Sequence, residues 1–255
     1  MIFDRLPVVL LSTMAAEKSS STNHIIASYI LSHCEEVRDM NITDLAKACY
    51  VGTGSVSRFV REIGLESYSQ LRQLIAESEF SFENVRRDAE YAERRDLLSE
   101  YIANSIRTAA ASVDYQQLTK LCRDIHDHES VFACGHLKAQ SAAVSLQTDL
   151  LMMGKNIRTS TAFNEQIDTI MNAGKEDLII IFSYTGSYFS STSLRGKERQ
   201  LILPKIWMIC GGNKESERFV NETLRFASDG RREAHPFLLE MAASLIAAEY
   251  SVMYK

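Results

Sequence analysis

The chain has 255 residues, 45% of them hydrophobic, enough for one large core or two medium ones. Its formal charge of −5 gives no basic footprint, so any nucleic-acid contact must rest on where cations are placed rather than on their number. The five cysteines, Cys34, Cys49, Cys122, Cys134 and Cys210, form no Cys-x-x-Cys pair, which argues against a zinc knuckle or disulfide framework and leaves them as small buried apolar residues.

Residues 1–14 carry Asp4, Arg5 and Pro7 and no small-residue cleavage pattern, unlike a signal peptide, and no apolar run approaches the roughly 20 residues of a membrane helix. A cytoplasmic protein with no membrane partner is expected. Ile25, Ile26, Tyr29 and Ile30 then recur at helical spacing. Asn41 is placed to cap the next helix, Ile42 to Ala48, with Asp44 in its first turn and Leu45, Ala46 and Cys49 on its apolar side. After a turn at Tyr50 to Thr53, residues 53–63 form another helix ended by Gly64, and Tyr68 to Ile75 begin one more.

At about 100° per residue, Val56, Phe59, Val60 and Ile63 share one sector of that helix, while Gly54, Arg58 and Arg61 lie opposite, flanked by Ser55, Ser57 and Glu62. Such a face suits a recognition helix: arginine pairs with guanine edges or phosphate, and small residues let the helix approach the major groove. Lys47, Thr53, Gly54, Ser55, Ser57, Arg58 and Arg61 are the candidate DNA-binding residues. A solvated helix with two arginines shares the pattern. Over residues 20–78, Asn41-Ile-Thr-Asp-Leu-Ala-Lys-Ala, then Val51-Gly-Thr-Gly-Ser-Val-Ser-Arg-Phe-Val-Arg-Glu-Ile-Gly-Leu and Tyr68, resembles the helix-turn-helix of the RpiR (MurR/RpiR) regulators of sugar-phosphate metabolism. Gly52 and Ser67 depart from that pattern, which usually has serine and often has glycine there. Thr53 is the expected substitute for the lost capping hydroxyl.

From Phe80 to Arg95 charged residues dominate, including Arg86-Arg87 and Arg94-Arg95, and the stretch reads as a linker. Helices are expected at Leu97 to Ala111 and Tyr115 to Ile125. Strands are expected at Val131 to Cys134, Ile157 to Ser160, Leu178 to Phe182 and Ile206 to Ile209, with helices between them, which implies a parallel sheet. A last helix from His235-Pro236 is expected to bury Leu238, Met241, Ala242, Leu245 and Val252.

Leu178 to Phe182 runs into Ser183-Tyr-Thr-Gly-Ser-Tyr188, a hydroxyl-rich loop at the carboxyl end of a parallel strand, where open α/β sheets bind ligands. Its hydroxyls and the N–H groups of a following helix supply donors for an anion, and Gly186 permits close approach. A solvated Ser/Thr turn has the same composition. Residues 97–255 resemble a SIS (sugar isomerase) domain, the second half of RpiR-type regulators, whose phosphate loop reads Ser-x-Ser-Gly-x-Thr. Ser183 and Thr185 match its first two hydroxyl positions, and Tyr188 replaces the threonine. In the first loop, commonly Gly-x-Gly-x-Ser, Leu137 and Ala139 replace the second glycine and the serine. The segment Ser190 to Pro204 departs as well, making a poorer helix than the resemblance implies. The candidate ligand residues are Gly135, His136, Ser183, Tyr184, Thr185, Gly186, Ser187 and Tyr188.

His126-Asp-His-Glu129 would suit a metal only on an extended strand, and a polar turn explains it equally well. Glu165 and Glu240 are the acid/base candidates if the domain isomerises a sugar, and exposed helical glutamates if it does not. The expectation is thus two domains, an all-α helix-turn-helix bundle (1–79), a linker (80–96) and a three-layer α/β SIS-like domain with a parallel sheet (97–255). The expected function is a non-enzymatic transcription regulator that needs no cofactor or metal and works as a homodimer or higher oligomer. Its expected partners are a double-stranded DNA operator and a phosphosugar-like effector. The alternatives are a sugar-phosphate isomerase and a regulator whose second domain only dimerises.

Overall fold

A computed structural model describes residues 6–77, 89–186, 188–189, 204–211 and 219–255. They divide into two compact units. A helical unit holds the described residues of 1–80, 160–172 and 189–200, and an α/β unit those of 81–159, 173–188 and 201–255.

The helical unit contains α1 (Leu6–Ala16), α2 (Thr22–Ser32), α3 (Cys34–Val37), α4 (Ile42–Ala48), α5 (Thr53–Glu62) and α6 (Tyr68–Glu77). Their core joins Leu10, Ile26, Ile30, Leu45, Val56, Phe59 and Leu71, all fully buried. Each such side chain contributes roughly 1.5–3 kcal/mol of burial. The helices start where side chains supply acceptors: Ser21 Oγ accepts the His24 N–H at 3.1 Å, and Asn41 Oδ1 accepts those of Thr43 and Asp44 at 2.9 and 3.0 Å. Helix α10 (Phe163–Asn172) belongs to this unit, although its sequence lies between two strands, and packs against α1.

The α/β unit is built on α7 (Tyr91–Ser112), α8 (Tyr115–Asp127), α9 (Lys138–Met152), α11 (His235–Tyr254) and five parallel strands. These are β1 (Ser130–Gly135), β2 (Arg158–Thr159), β3 (Asp177–Phe182), β4 (Lys205–Gly211) and β5 (Glu222–Phe226), in the order β2-β1-β3-β4-β5. The register aligns Gly135 with Phe182, Phe182 with Ile209, and Gly211 with Phe226, so the carboxyl ends of four strands open at one edge. The residues of the three central strands, β1, β3 and β4, are buried on both faces, as in other parallel sheets. One face, with Val131, Ile180, Trp207 and Leu224, shares a core with α8, α9 and α11. Helix α11 is long and apolar enough to cross a membrane, but Leu238, Ala242, Ile246 and Tyr250 pack into this core.

Several boundaries differ from expectation. Helix α7 starts at Tyr91, so residues 91–96 of the expected linker are helical, and its residues 80–88 lie outside the described ones. Strand β2 is only two residues long. On α11 the buried stripe runs through Leu239, Ala243 and Ile246. Met241 and Leu245 are half-buried, and Val252 is 81% exposed because it lies on the outer face of the last turn, whose Met253 and Tyr254 still pack against the core. Four of the cysteines are buried and Cys34 is half-buried.

Candidate functional site

In the helical unit, α4 and α5 make the two-helix motif. Helix α4 closes with Val51 N–H on Ala46 O at 2.9 Å, which turns Tyr50 into the left-handed region at φ 55° and leaves its ring 97% exposed. Gly52 is the N-cap of α5 and Thr53 its first helical residue, so no side chain caps this helix and Thr53 does not replace the lost serine. A Cβ on Gly54 would meet nothing within 4 Å, which leaves the helix start open to close approach.

Val56, Phe59, Val60 and Ile63 are buried, and Lys47, Thr53, Gly54, Arg58 and Arg61 are exposed, with Ser55 and Ser57 half-exposed. Arg58 lies 3.8 Å from Glu62, an exposed pair that costs little to separate, and Arg61 Nε donates to Ser57 O at 3.2 Å. Glu62 is held in turn by Asn23 Nδ2 at 2.8 Å. The seven sequence-derived residues thus lie on one two-helix motif.

At the strand ends of the α/β unit, the loop after β1 is tight. A Cβ on Gly135 would sit 2.8 Å from the Ala139 carbonyl carbon and from Phe182 O, so only glycine fits. Leu137, where the resemblance implies glycine, keeps a glycine-like backbone at φ 48°, ψ −111°. Gly135 N–H donates to Gln140 Oε1 at 3.0 Å.

The loop after β3 is a four-residue turn in which Gly186 N–H donates to Ser183 O at 2.8 Å, Gly186 holding φ 65°. Ser183 N–H donates to Ile209 O at 3.0 Å, so these two backbone N–H groups of the loop serve the fold. Ser183 and Tyr184 are half-buried, Thr185 is exposed, and Ser187, like residues 190–203, lies outside the described residues.

Tyr188 is 1% exposed. Its ring stacks on His136 at 4.5 Å and its hydroxyl accepts from the Cys134 thiol at 3.7 Å, so it faces β1 rather than the loop mouth. Burial pushes its hydroxyl well above the ordinary tyrosine range and the Cys134 thiol up to about 12, so the pair stays neutral at physiological pH.

The turn after β5 completes this edge and was not read from sequence. Tyr184 hydrogen-bonds Ser228 and stacks on His235 at 3.2 Å between ring centroids. Burial above all lowers the His235 pKa, reinforced by Arg232 and Lys138, against the raising effect of Gly230 O and Glu233. Arg231 lies 3.7 Å over the Tyr101 ring, whose hydroxyl donates to Asp229 at 2.8 Å. The signal that was available is Ser228-Asp-Gly-Arg-Arg, a turn with donors directly after β5.

Outside this edge, His126 and Asp127 end α8 and His128 caps it, so the run is no extended strand. His126 stacks on Tyr254 at 3.8 Å. No group of three or more His, Cys, Asp or Glu among the described residues is arranged to hold a metal. Glu165 is exposed on α10 and accepts from Ser160 Oγ, and Glu240 is half-buried on α11.

Residues 10–81 match the helix-turn-helix domain of the rpiR family. An uncharacterised HTH-type transcriptional regulator of Caldanaerobacter subterraneus is 28% identical over 171 residues, which is 64% of this chain and 59% of that protein. The match therefore spans less than two thirds of that relative. Among solved structures, the Vibrio vulnificus NanR protein complexed with ManNAc-6P is 19% identical over 98% of this chain and 92% of its own, with a TM-score of 0.54. The sugar isomerase domain of an RpiR transcription factor from Sphaerobacter thermophilus is 16% identical over 63% of this chain and 90% of its own, with a TM-score of 0.51. At these identities the structures speak for the fold alone, and the α/β unit has that fold.

Proposed function

We propose, from the match of residues 10–81 to the helix-turn-helix domain of the rpiR family, a cytoplasmic, sequence-specific transcription regulator whose DNA affinity is set by a small anionic effector, a phosphosugar. The observation that carries it is α5: an apolar stripe buried to the last residue, an uncapped open start and two exposed arginines on the free face. DNA binding is assigned to the helical unit, and effector sensing and pairing of chains to the α/β unit. The partners are a double-stranded operator, the effector and a second copy of the chain. No catalytic step is assigned.

For the effector, support comes from the edge where Ser183, Thr185 and Gly186 meet the turn after β5, with Lys138, Arg232 and His235 supplying positive or proton-accepting groups for a phosphate. NanR, of the same fold, is complexed with ManNAc-6P. One observation favours a second reading, in which the α/β unit only pairs two DNA-binding heads: Tyr188, which replaces the threonine that the SIS resemblance implies, is buried and stacks on His136.

The experiment is selection of genomic fragments by the full chain, followed by titration of the selected operator with and without each member of a phosphosugar panel that includes ManNAc-6P. Nanomolar operator binding that shifts about 5- to 150-fold with one phosphosugar is expected. Operator binding that no phosphosugar shifts points to the pairing-only reading, and no selected operator overturns the regulator reading.

A further inference from the structure

Four polar side chains are buried among the described residues: Ser12, Thr13, Gln140 and Gln166. The two glutamines grip neighbouring residues of one peptide link. Gln140, on the first turn of α9, donates from Nε2 to Thr159 Oγ1 at 2.5 Å, and Gln166, on α10, donates from Nε2 to Ser160 O at 2.7 Å. Between Thr159 and Ser160 the chain passes from the α/β unit into the helical unit, where α10 packs against α1. The other end of the Gln140 amide, Oε1, accepts the N–H of Gly135 at the head of the loop after β1. Ser160 is fixed further: its Oγ accepts the Ala162 N–H at 3.1 Å and donates to Glu165.

We infer that Gln140 is a positioning residue that couples the loop after β1 to the start of α10, so that a change at the proposed effector edge reaches the helical unit through Gly135, Gln140 and Thr159. The chemistry is that of a buried primary amide. Dropping a partner of a buried amide costs more than keeping it, so its two ends follow one another rather than part. A shift of the Gly135 backbone must therefore carry the Gln140 side chain with it or break a buried hydrogen bond. That side chain in turn holds the last residue of β2. A glutamine that merely satisfied the end of β1 would need only its Gly135 bond, whereas here both ends are used, and the second one sits on Thr159, the last residue of β2.

The purpose of this coupling rests on the regulator reading, but its test needs neither effector nor DNA. Leu137→Gly relaxes the loop at its one left-handed residue, and amide hydrogen exchange reads the response at 160–172 in the full chain. An exchange change of about fivefold or more at Ala162 and Phe163, measured relative to the change at Leu121 and Ile125 so that any change in global stability cancels, is expected, the lower end of couplings between sites. It should vanish when Leu137→Gly is made in a Thr159→Val background, an isosteric change at a half-exposed residue that removes only the hydroxyl. Gln140→Met should act in the same way. If Leu137→Gly leaves 160–172 unchanged, or if the full change persists with Thr159→Val, the coupling does not run through Gln140 and the inference is overturned. Failure of the regulator reading would be seen separately, as absent operator binding with the exchange coupling intact.

Discussion

Tyr50 at φ 55° and Leu137 at φ 48° are the non-glycine residues with left-handed backbone among those described, and each stands in one of the two candidate sites. Such conformations cost on the order of 1–3 kcal/mol and persist where surrounding structure imposes them. At Tyr50 the imposing contact is the closure of α4. At Leu137 it is the sharp turn from β1 into α9, fixed by Ala139 N–H on His136 O and Gln140 N–H on Leu137 O, both at 2.9 Å. Glycine at either position is expected to raise stability by about 1 kcal/mol, less than the full strain because glycine also frees the unfolded chain. Thermal unfolding of Tyr50→Gly and Leu137→Gly checks this, and a lower melting temperature for both would mean that neither backbone is strained. Gly135→Ala should act in the opposite sense. Its Cβ would lie 2.8 Å from backbone atoms of Ala139 and Phe182 that cannot rotate away, so a loss of about 1–3 kcal/mol is expected in the same measurement.

Among the elements, α5 was legible because its ten residues carry one undiluted signal, an apolar stripe at the helical period, and the fold had only to bury it. Asn41 was legible for a local reason too, since its cap needs nothing beyond the next three residues. Helix α1 and strand β5 were not. Leu6–Ala16 is apolar all round and shows no period, and Glu222-Thr-Leu-Arg-Phe carries charges that its neighbours β4 and α8 tolerate only at the sheet edge. The first turns of α7 read as linker because they have no buried face, Ala109 being its single buried residue. At the proposed effector edge, Ser183, Thr185 and Gly186 could be found from one loop, whereas His235 and Ser228 come from a turn that only the register brings beside Tyr184. For α5 itself, Arg58→Ala and Arg61→Ala are expected to cost about 1–3 kcal/mol of operator affinity where the arginine pairs with a base. Where it pairs with phosphate, all sequences weaken alike and the salt dependence flattens. Fluorescence titrations at two salt concentrations separate these cases, and operator binding unchanged in both variants would remove α5 from the interface.

For the whole molecule, the surface of the α/β unit carries Leu97 and Leu98 at 45% exposure, with Phe237 and Val252 on α11 also open. A helix as long as α7 gains most of its stability by burying one face, and here a second chain is expected to supply the cover. Sedimentation at micromolar concentration should therefore give a dimer or larger, and two heads would then read half-sites about 34 Å apart. A monomer both with and without operator DNA would contradict this. The placement of α10 bears on how the head can be inherited. Because the helical unit draws one of its helices from beyond residue 159, a fragment ending at residue 79 keeps α2 against α1 but leaves out α10, which also packs on it. Such a fragment should melt below the helical unit of the intact chain and tend to self-associate, as scanning calorimetry and light scattering would reveal. A head of this kind is not a portable cassette. A recombination that moved only the first third of the gene would leave behind a piece of the structure it meant to transfer.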